Sequence, residues 1–148
     1  RRMPDCAVTT DLIAGFCGET PEDHARTLEL MREVGYDSAY MFKYSQRPGT
    51  LATRTMTDDV SEEEKTARLG EIIALQNELS ARSNERDEGK VFEVLVEGPS
   101  RRSDRQLCGR TSQNKMVVFD PAGELVPGDY VRVRITGSTS ATLFGVAE

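Results

Sequence analysis

Between Asp11 and Thr20 the chain reads DLIAGFCGET, an apolar run that ends in a glycine turn carrying a thiol, a carboxylate and a hydroxyl. Three chemistries compete for such a turn. Cys17 could be a nucleophile on an elbow, the turn could cradle a phosphate, or it could be one corner of a larger site. A nucleophile elbow needs glycine on both sides of the nucleophile, and here Glu19 stands where the second outer glycine belongs. The only histidine, His24, falls on the helix that follows and reads as a surface residue. Neither G-x-x-x-x-G-K nor G-x-G-x-x-G is present, so no phosphate-loop fingerprint supports the second reading. Gly15 and Gly18, with the amides opening the next helix, could still accept an anion or a carboxylate. A tight turn with no ligand fits the same residues.

Two further stretches carry chemistry. In Tyr44-Ser45-Gln46-Arg47-Pro48-Gly49-Thr50, Arg47 could pair with a phosphate or carboxylate, or be a solvated arginine on a Pro-Gly turn. Gly109-Arg110-Thr111-Ser112-Gln113-Asn114-Lys115 mixes cations with amides and hydroxyls, the groups that contact phosphate and sugar. Residues 99–115 hold Arg101, Arg102, Arg105, Arg110 and Lys115 against Asp104 alone. Net charge is −6 for the whole chain but zero over residues 88–148, so overall acidity hides a cationic segment suited to a polyanion. Base stacking would have to come from Phe92, Phe119, Tyr130 or Phe144, some of which must be core.

These residues need elements to position them. The 148 residues suit one domain or two small ones, and 37% hydrophobic with 30% charged content describes a globular chain. No apolar run approaches the roughly 20 residues of a membrane span, and no signal segment opens the chain. Cys6, Cys17 and Cys108 are odd in number and lack C-x-x-C spacing, which argues against a disulfide framework or a self-contained zinc site. Reduced thiols and a cytoplasmic location are expected. The first residue is Arg1 rather than methionine, which suggests a fragment.

Ala7–Ala14 and Ala39–Tyr44 read as strands flanking a helix that Thr20 and Pro21 start and Gly35 ends. Ala25, Leu28 and Met31 give that helix its apolar stripe. This is a βαβ crossover, so both glycine-bearing loops open on one sheet edge, where parallel α/β folds place their sites. Two strands alone do not make a stable sheet. Residues 51–60 read as loop, and a capping box at Ser61–Glu64 starts a long helix to about Arg86, closed by Gly89. Its apolar face comprises Leu69, Ile72, Ile73, Gln76 and Leu79. Beyond it, strands are expected at Val91–Val96, Gln106–Thr111, Met116–Phe119, Tyr130–Thr136 and Thr142–Val146, with turns at Gly98-Pro99, at Asp120–Gly123 and at Pro127–Asp129. Five strands in so short a span predict a small closed barrel of the oligonucleotide-binding kind.

In order along the chain, DLIAGFCGET, YMFKYSQRPGT, KTARLGEIIALQNELS and GRTSQNKMVVF resemble the C-terminal part of the radical S-adenosylmethionine tRNA methylthiotransferases, and the last 60 or so residues resemble a TRAM domain. The resemblance covers essentially the whole chain. It implies an α/β + β fold, with the C-terminal βαβ part of an incomplete TIM-type radical barrel in residues 1–87 (linking helix 61–87) and a five-stranded TRAM, OB-like β-barrel in 88–148. It implies addition of a methylthio group to isopentenyl-adenosine beside the anticodon. The cofactors would be S-adenosylmethionine and two 4Fe-4S clusters, whose cysteine motifs are absent here, so this piece alone should be inactive. By the same resemblance Gly15, Phe16, Gly18 and Glu19 would wall the S-adenosylmethionine pocket, with Cys17 where the family usually has proline. Ser45, Arg47, Pro48 and Gly49 would face the entering adenosine, and Arg110, Asn114 and Lys115 would contact tRNA, while Arg101 and Arg102 are expected RNA contacts from the local excess of cations. The expected partner is a tRNA anticodon stem-loop, with no membrane partner and a monomer at full length. A stand-alone RNA-binding module with no catalytic role is the alternative, and a small hydrolase using Cys17 a third reading.

Overall fold

The computed structural model describes Met3 and residues 5–148, the side chain of Asp104 excepted. The chain divides into two compact units, Val8–Leu79 and a second comprising Ser80–Glu148 with the described residues before Val8.

The first unit contains β1 (Thr9–Ala14), α1 (Pro21–Val34), β2 (Ser38–Lys43), α2 (Leu51–Thr55) and most of α3 (Glu62–Glu85). β1 and β2 are parallel and pair from Thr9↔Ser38 to Ala14↔Lys43, as a crossover with an intervening helix requires. Local chemistry sets the helix ends. The Thr20 side chain accepts from the Asp23 amide and Asp23 answers to the Thr20 amide, while Pro21 needs no amide partner at the first position. Gly35 closes α1 at φ 65° and donates to the Met31 carbonyl. Leu12, Ala14, Leu28, Met31, Met41, Ile72 and Leu75 form the core between sheet and helices.

Three expectations are corrected here. Thr50 caps a short helix, α2, within the stretch 51–60 expected to be loop. Its hydroxyl accepts from the Thr53 amide, a cap that the flanking polar residues disguise. The buried stripe of α1 runs through His24, Leu28 and Met31, with Ala25 exposed, because α1 turns that face toward α3. On α3, Ile73 is exposed and Leu75 buried, so the face is rotated toward Lys65, Arg68, Ile72 and Leu75.

The second unit is a closed barrel of β3 (Val91–Ser100), β4 (Ser103–Thr111), β5 (Met116–Asp120), β6 (Tyr130–Ser138) and β7 (Leu143–Ala147), in the order β3-β4-β5-β7-β6. All pairs are antiparallel except β5 with β7. Closure leaves no free sheet edge. Val94, Val96, Val117, Phe119, Val133, Ile135 and Leu143 fill the interior. Strand alternation explains this set: in β6, Arg132 and Arg134 point out while Val133 and Ile135 point in. Gly98-Pro99, expected as a turn, lies inside β3, where a register shift between Val96 and Gly98 absorbs it as a bulge.

Candidate functional site

The strand-end edge of the first unit holds both glycine-bearing loops. The Tyr44 amide donates to the Ala14 carbonyl (2.8 Å), and the Phe16 and Tyr44 rings meet edge-on with centroids 4.9 Å apart. The expected anion cradle is filled by the chain itself. The Gly15 amide donates to a Glu19 carboxylate oxygen, and the Gly18 amide donates to Asp59 Oδ1 at 2.7 Å. Glu19 is further held by Arg68, whose Nη1 donates to the Glu19 carbonyl (2.8 Å) and lies 3.5 Å from its carboxylate. Gly15, at φ 71°, presses its Cα against the Lys65 side chain, where a Cβ would overlap it. Of the four residues expected to wall a cofactor pocket, Phe16 keeps an exposed ring and Gly18 is exposed, while Gly15 is buried and Glu19 half-buried.

Beneath this edge lies a set of buried polar groups. Lys65 is 1% exposed, with Nζ 2.7 Å from an Asp58 carboxylate oxygen, 3.0 Å from Glu62 and 5.5 Å from the Tyr44 ring centre. The Asp58 carboxylate raises the Lys65 ammonium above its ordinary value against the opposing effect of burial. Lys43 and Lys65 together hold the Glu62 carboxyl low. The Cys17 thiol, with burial, pushes the Tyr44 hydroxyl up. His24 is buried rather than on the surface, and its Nε2 lies 2.9 Å from Glu71. That placement follows from α1 packing on α3, a contact 47 positions away in sequence. The Ser45–Thr50 loop is exposed throughout, Arg47 included, and its backbone is ordered by Thr50 and Thr53 hydroxyls donating to the Arg47 carbonyl at 2.9 Å.

On the barrel, the cationic segment is divided in space. Arg101 and Arg102 are exposed and form the two-residue loop joining β3 to β4, closed by Ser100↔Ser103. Arg110 sits near the other end of β4, about 25 Å of strand away at roughly 3.3 Å per residue. Arg110 Nε lies 3.0 Å from Glu97, and its Nη1 donates to the carbonyl and side-chain oxygens of Asn114 at 3.1 and 3.2 Å. Asn114 adopts φ 61°, a left-handed conformation that asparagine tolerates better than most residues. Lys115 takes an inward course: Nζ is 2.6 Å from Asp87 and donates to Ser83 Oγ at 2.9 Å, and its side chain is 13% exposed. Asp104, the one acid of this segment, has its side chain outside the described residues.

A groove of about 490 Å³ opens on the barrel between Glu93, Leu95, Glu97, Arg110, Asn114 and Tyr130. Arg110, Asn114 and Tyr130 stand out in the sequence by residue type, whereas the two glutamates and Leu95 do not. The i, i+2, i+4 spacing of Glu93, Leu95 and Glu97 on β3 is the clue that puts them on one face.

Among the described residues, no three of His, Cys, Asp and Glu converge in a metal-binding group. Cys6 is exposed, Cys17 buried and Cys108 half-buried, all as free thiols. These cysteines therefore do not fit the ligand set of an iron–sulfur cluster. No helix among the described residues is long and apolar enough to cross a membrane.

Residues 85–147 match the TRAM domain family. Over 145 residues, 98% of the chain, the sequence is 61% identical to a tRNA-2-methylthio-N(6)-dimethylallyladenosine synthase of Porphyromonas gingivalis, covering 31% of that protein. It is 60% identical over 98% of its length to the synthase of the same name from Phocaeicola vulgatus, covering 32% of it. It is 64% identical over 99% of its length to that of Chlorobium limicola, covering 33%. The chain thus spans about a third of the length of the curated relatives it matches.

Proposed function

We propose that this chain, which belongs to the tRNA methylthiotransferase family and carries that family's TRAM domain, holds tRNA through its barrel and lines one edge of the reaction pocket with its βαβ unit. The whole enzyme would add a methylthio group to isopentenyl-adenosine beside the anticodon, acting in the cytoplasm as a monomer on a tRNA anticodon stem-loop. The observation that carries this reading is identity of about 60% running through both units together.

S-adenosylmethionine and two 4Fe-4S clusters would supply the radical chemistry that breaks an unactivated C–H bond of the adenine ring. The cysteines of this chain do not fit cluster ligation, and no step is assigned to them. What this chain contributes is position and exclusion of water. Phe16 presents an exposed ring at the strand-end edge, where apolar contact with a nucleoside is its natural use. Gly15, Gly18 and Glu19 shape that turn through their own hydrogen bonds. Ser45, Arg47 and Gly49 form the exposed neighbouring loop and would face the entering adenosine. Arg101 and Arg102 at the hairpin tip would meet phosphates.

One face of the sheet supports a pocket completed by further protein. Asp11↔Tyr40 and Ile13↔Phe42 are paired across β1 and β2, and Ile13, Tyr40 and Phe42 are all more than half exposed. Such an apolar face on a two-stranded sheet calls for cover, and the remaining two thirds of the relatives' length is where that cover would come from.

Titration of a fluorescein-labelled anticodon stem-loop with the chain, repeated at several salt concentrations, tests the RNA role. Binding that weakens steeply with salt is expected. No binding at low salt overturns it. Replacing the corresponding segment of the Porphyromonas gingivalis relative by this chain tests the pocket role. Methylthiolated adenosine, measured by mass spectrometry of tRNA nucleosides, is expected. A chimera that binds tRNA but leaves the nucleoside unmodified would reduce this chain to an RNA-binding module.

A further inference from the structure

The barrel groove differs in charge from the hairpin tip. Tyr130 of β6 lies opposite Leu95 of β3, and Leu95 lies opposite Arg110 of β4, so the three form one row across adjacent strands. Val94 and Val96 point into the core, which turns Glu93, Leu95 and Glu97 outward. Tyr130 is 66% exposed. The groove therefore has an aliphatic floor, an aromatic wall and a guanidinium plane. Its charged lining is two glutamates against one arginine, and that arginine is already paired with Glu97 and pinned by Asn114. The lining itself thus offers a phosphate no unpaired cation, and a further cation, Arg132, lies opposite Glu93 on β6. Glu93 is exposed and makes no hydrogen bond or ion pair among the described residues, with Arg132 of β6 as its cross-strand neighbour, so its carboxylate is open to a donor.

We infer that this groove takes one unpaired nucleobase bearing an exocyclic amine, stacked on Tyr130 over Leu95 with its amine donating to Glu93, while the phosphates are held elsewhere. Stacking on an aromatic side chain is tolerant of base identity. The carboxylate adds discrimination, because adenine, cytosine and guanine offer an amine and uracil offers a carbonyl oxygen in its place. The inference rests on the RNA-binding role proposed above and deepens it: the groove reads a base and the hairpin tip holds the backbone.

The test uses the 148-residue chain and fluorescein-labelled oligo(A), oligo(C) and oligo(U) ribonucleotides of equal length, titrated over a salt series. Oligo(C) and oligo(A) should bind more tightly than oligo(U). Tyr130→Ala should weaken oligo(A) and oligo(C) by about tenfold while leaving the slope of log K against log salt unchanged, and Tyr130→Phe should restore them. Glu93→Gln should narrow the gap between oligo(C) and oligo(U), since a side-chain amide can donate to the uracil oxygen. An exposed tyrosine puts the fold at little risk, and circular dichroism of each variant checks it. Wild-type binding that Tyr130→Ala leaves intact, or that falls only through a smaller salt slope, overturns the groove and spares the RNA role. Equal affinity for oligo(U) and oligo(C) also overturns it. Failure of the unsubstituted chain to bind any of the three overturns the RNA role itself.

Discussion

Lys115 Nζ lies 2.6 Å from an Asp87 carboxylate oxygen, with both side chains almost fully removed from solvent. The same ammonium reaches Ser83, and Lys90 flanks Asp87 at 2.8 Å. This cluster ties the segment after α3 to the start of β5 within the barrel unit. Lys115→Ala should therefore lower barrel stability by about 1.5–3 kcal/mol, the range for a charge-assisted hydrogen bond, read as a fall in the urea midpoint. Its salt slope for RNA should stay at the wild-type value. A lost slope with an unmoved midpoint would return Lys115 to the RNA surface.

The same cluster predicts a pH dependence. Burial alone would raise the Asp87 carboxyl, but the Lys115 and Lys90 ammoniums outweigh it and hold the group below its ordinary value. A carboxyl depressed in the folded state contributes stability that is present above its unfolded pKa of about 3.9 and lost as pH falls through the lower folded value. Barrel stability should thus be insensitive to this group near neutrality and decline below about pH 4. Asp87→Asn should be less stable at pH 7 and lack that acid limb, as followed by denaturant unfolding at stepped pH.

Legibility in the sequence tracked the range of the interaction. The Thr20–Asp23 box, Pro21, Gly35 and the Ser61 cap act within four residues, so their residue types announce them. The barrel strands are readable because Val131–Ile135 alternates. What the local sequence does not display depends on partners far along the chain. His24 finds Glu71 and Lys115 finds Asp87, and neither pairing leaves a local trace. Lys65 and Arg68 carry charge, yet they continue the Ile72–Leu75 face of α3 inward, because Asp58 and Glu19, distant in sequence or in another element, pair with them. The cationic run of residues 101–115 is compact in sequence only. One extended strand separates Arg102 from Arg110 and leaves the two in different charge environments.

Gly109 and Gly145 occupy close approaches between barrel strands. A Cβ on Gly109 would press on the Leu95 carbonyl oxygen and come within 2.7 Å of a Val94 methyl. On Gly145 it would sit 2.5 Å from the Arg134 carbonyl oxygen. Backbone cannot swing aside as a long side chain can, so Gly109→Ala and Gly145→Ala should each cost about 1–3 kcal/mol or more. Gly137, where nothing lies within 4 Å, is the control and should tolerate alanine. Thermal unfolding of the three variants decides the matter.

Arg101 and Arg102 stand together at the tip of the β3–β4 hairpin, exposed to solvent. If they hold phosphates, each alanine substitution should reduce the log–log salt slope by about 0.7–0.9 and weaken all three oligonucleotides alike. Their exposure predicts an unchanged melting temperature. A base-dependent loss would move them from backbone contact to base reading.

Gly15 and Gly18 differ in a way that separates backbone strain from packing. Both are left-handed, at φ 71° and 79°, so alanine at either bears the αL penalty of roughly 1–2 kcal/mol. At Gly18 nothing lies within 4 Å of the added methyl, whereas at Gly15 it would overlap the Lys65 side chain. Lys65 cannot retreat, because its ammonium is held by Asp58 and Glu62 under the Tyr44 ring. Gly15→Ala should therefore destabilise the first unit more than Gly18→Ala, by about 1–3 kcal/mol for the overpacking. Truncating Lys65 to alanine should shrink that difference, since the overlapping methylene is then gone. Hydrogen exchange of the β1 and α3 amides in the four variants would report it. Equal losses at Gly15 and Gly18, with or without Lys65, would show that the turn needs its glycines for backbone conformation alone.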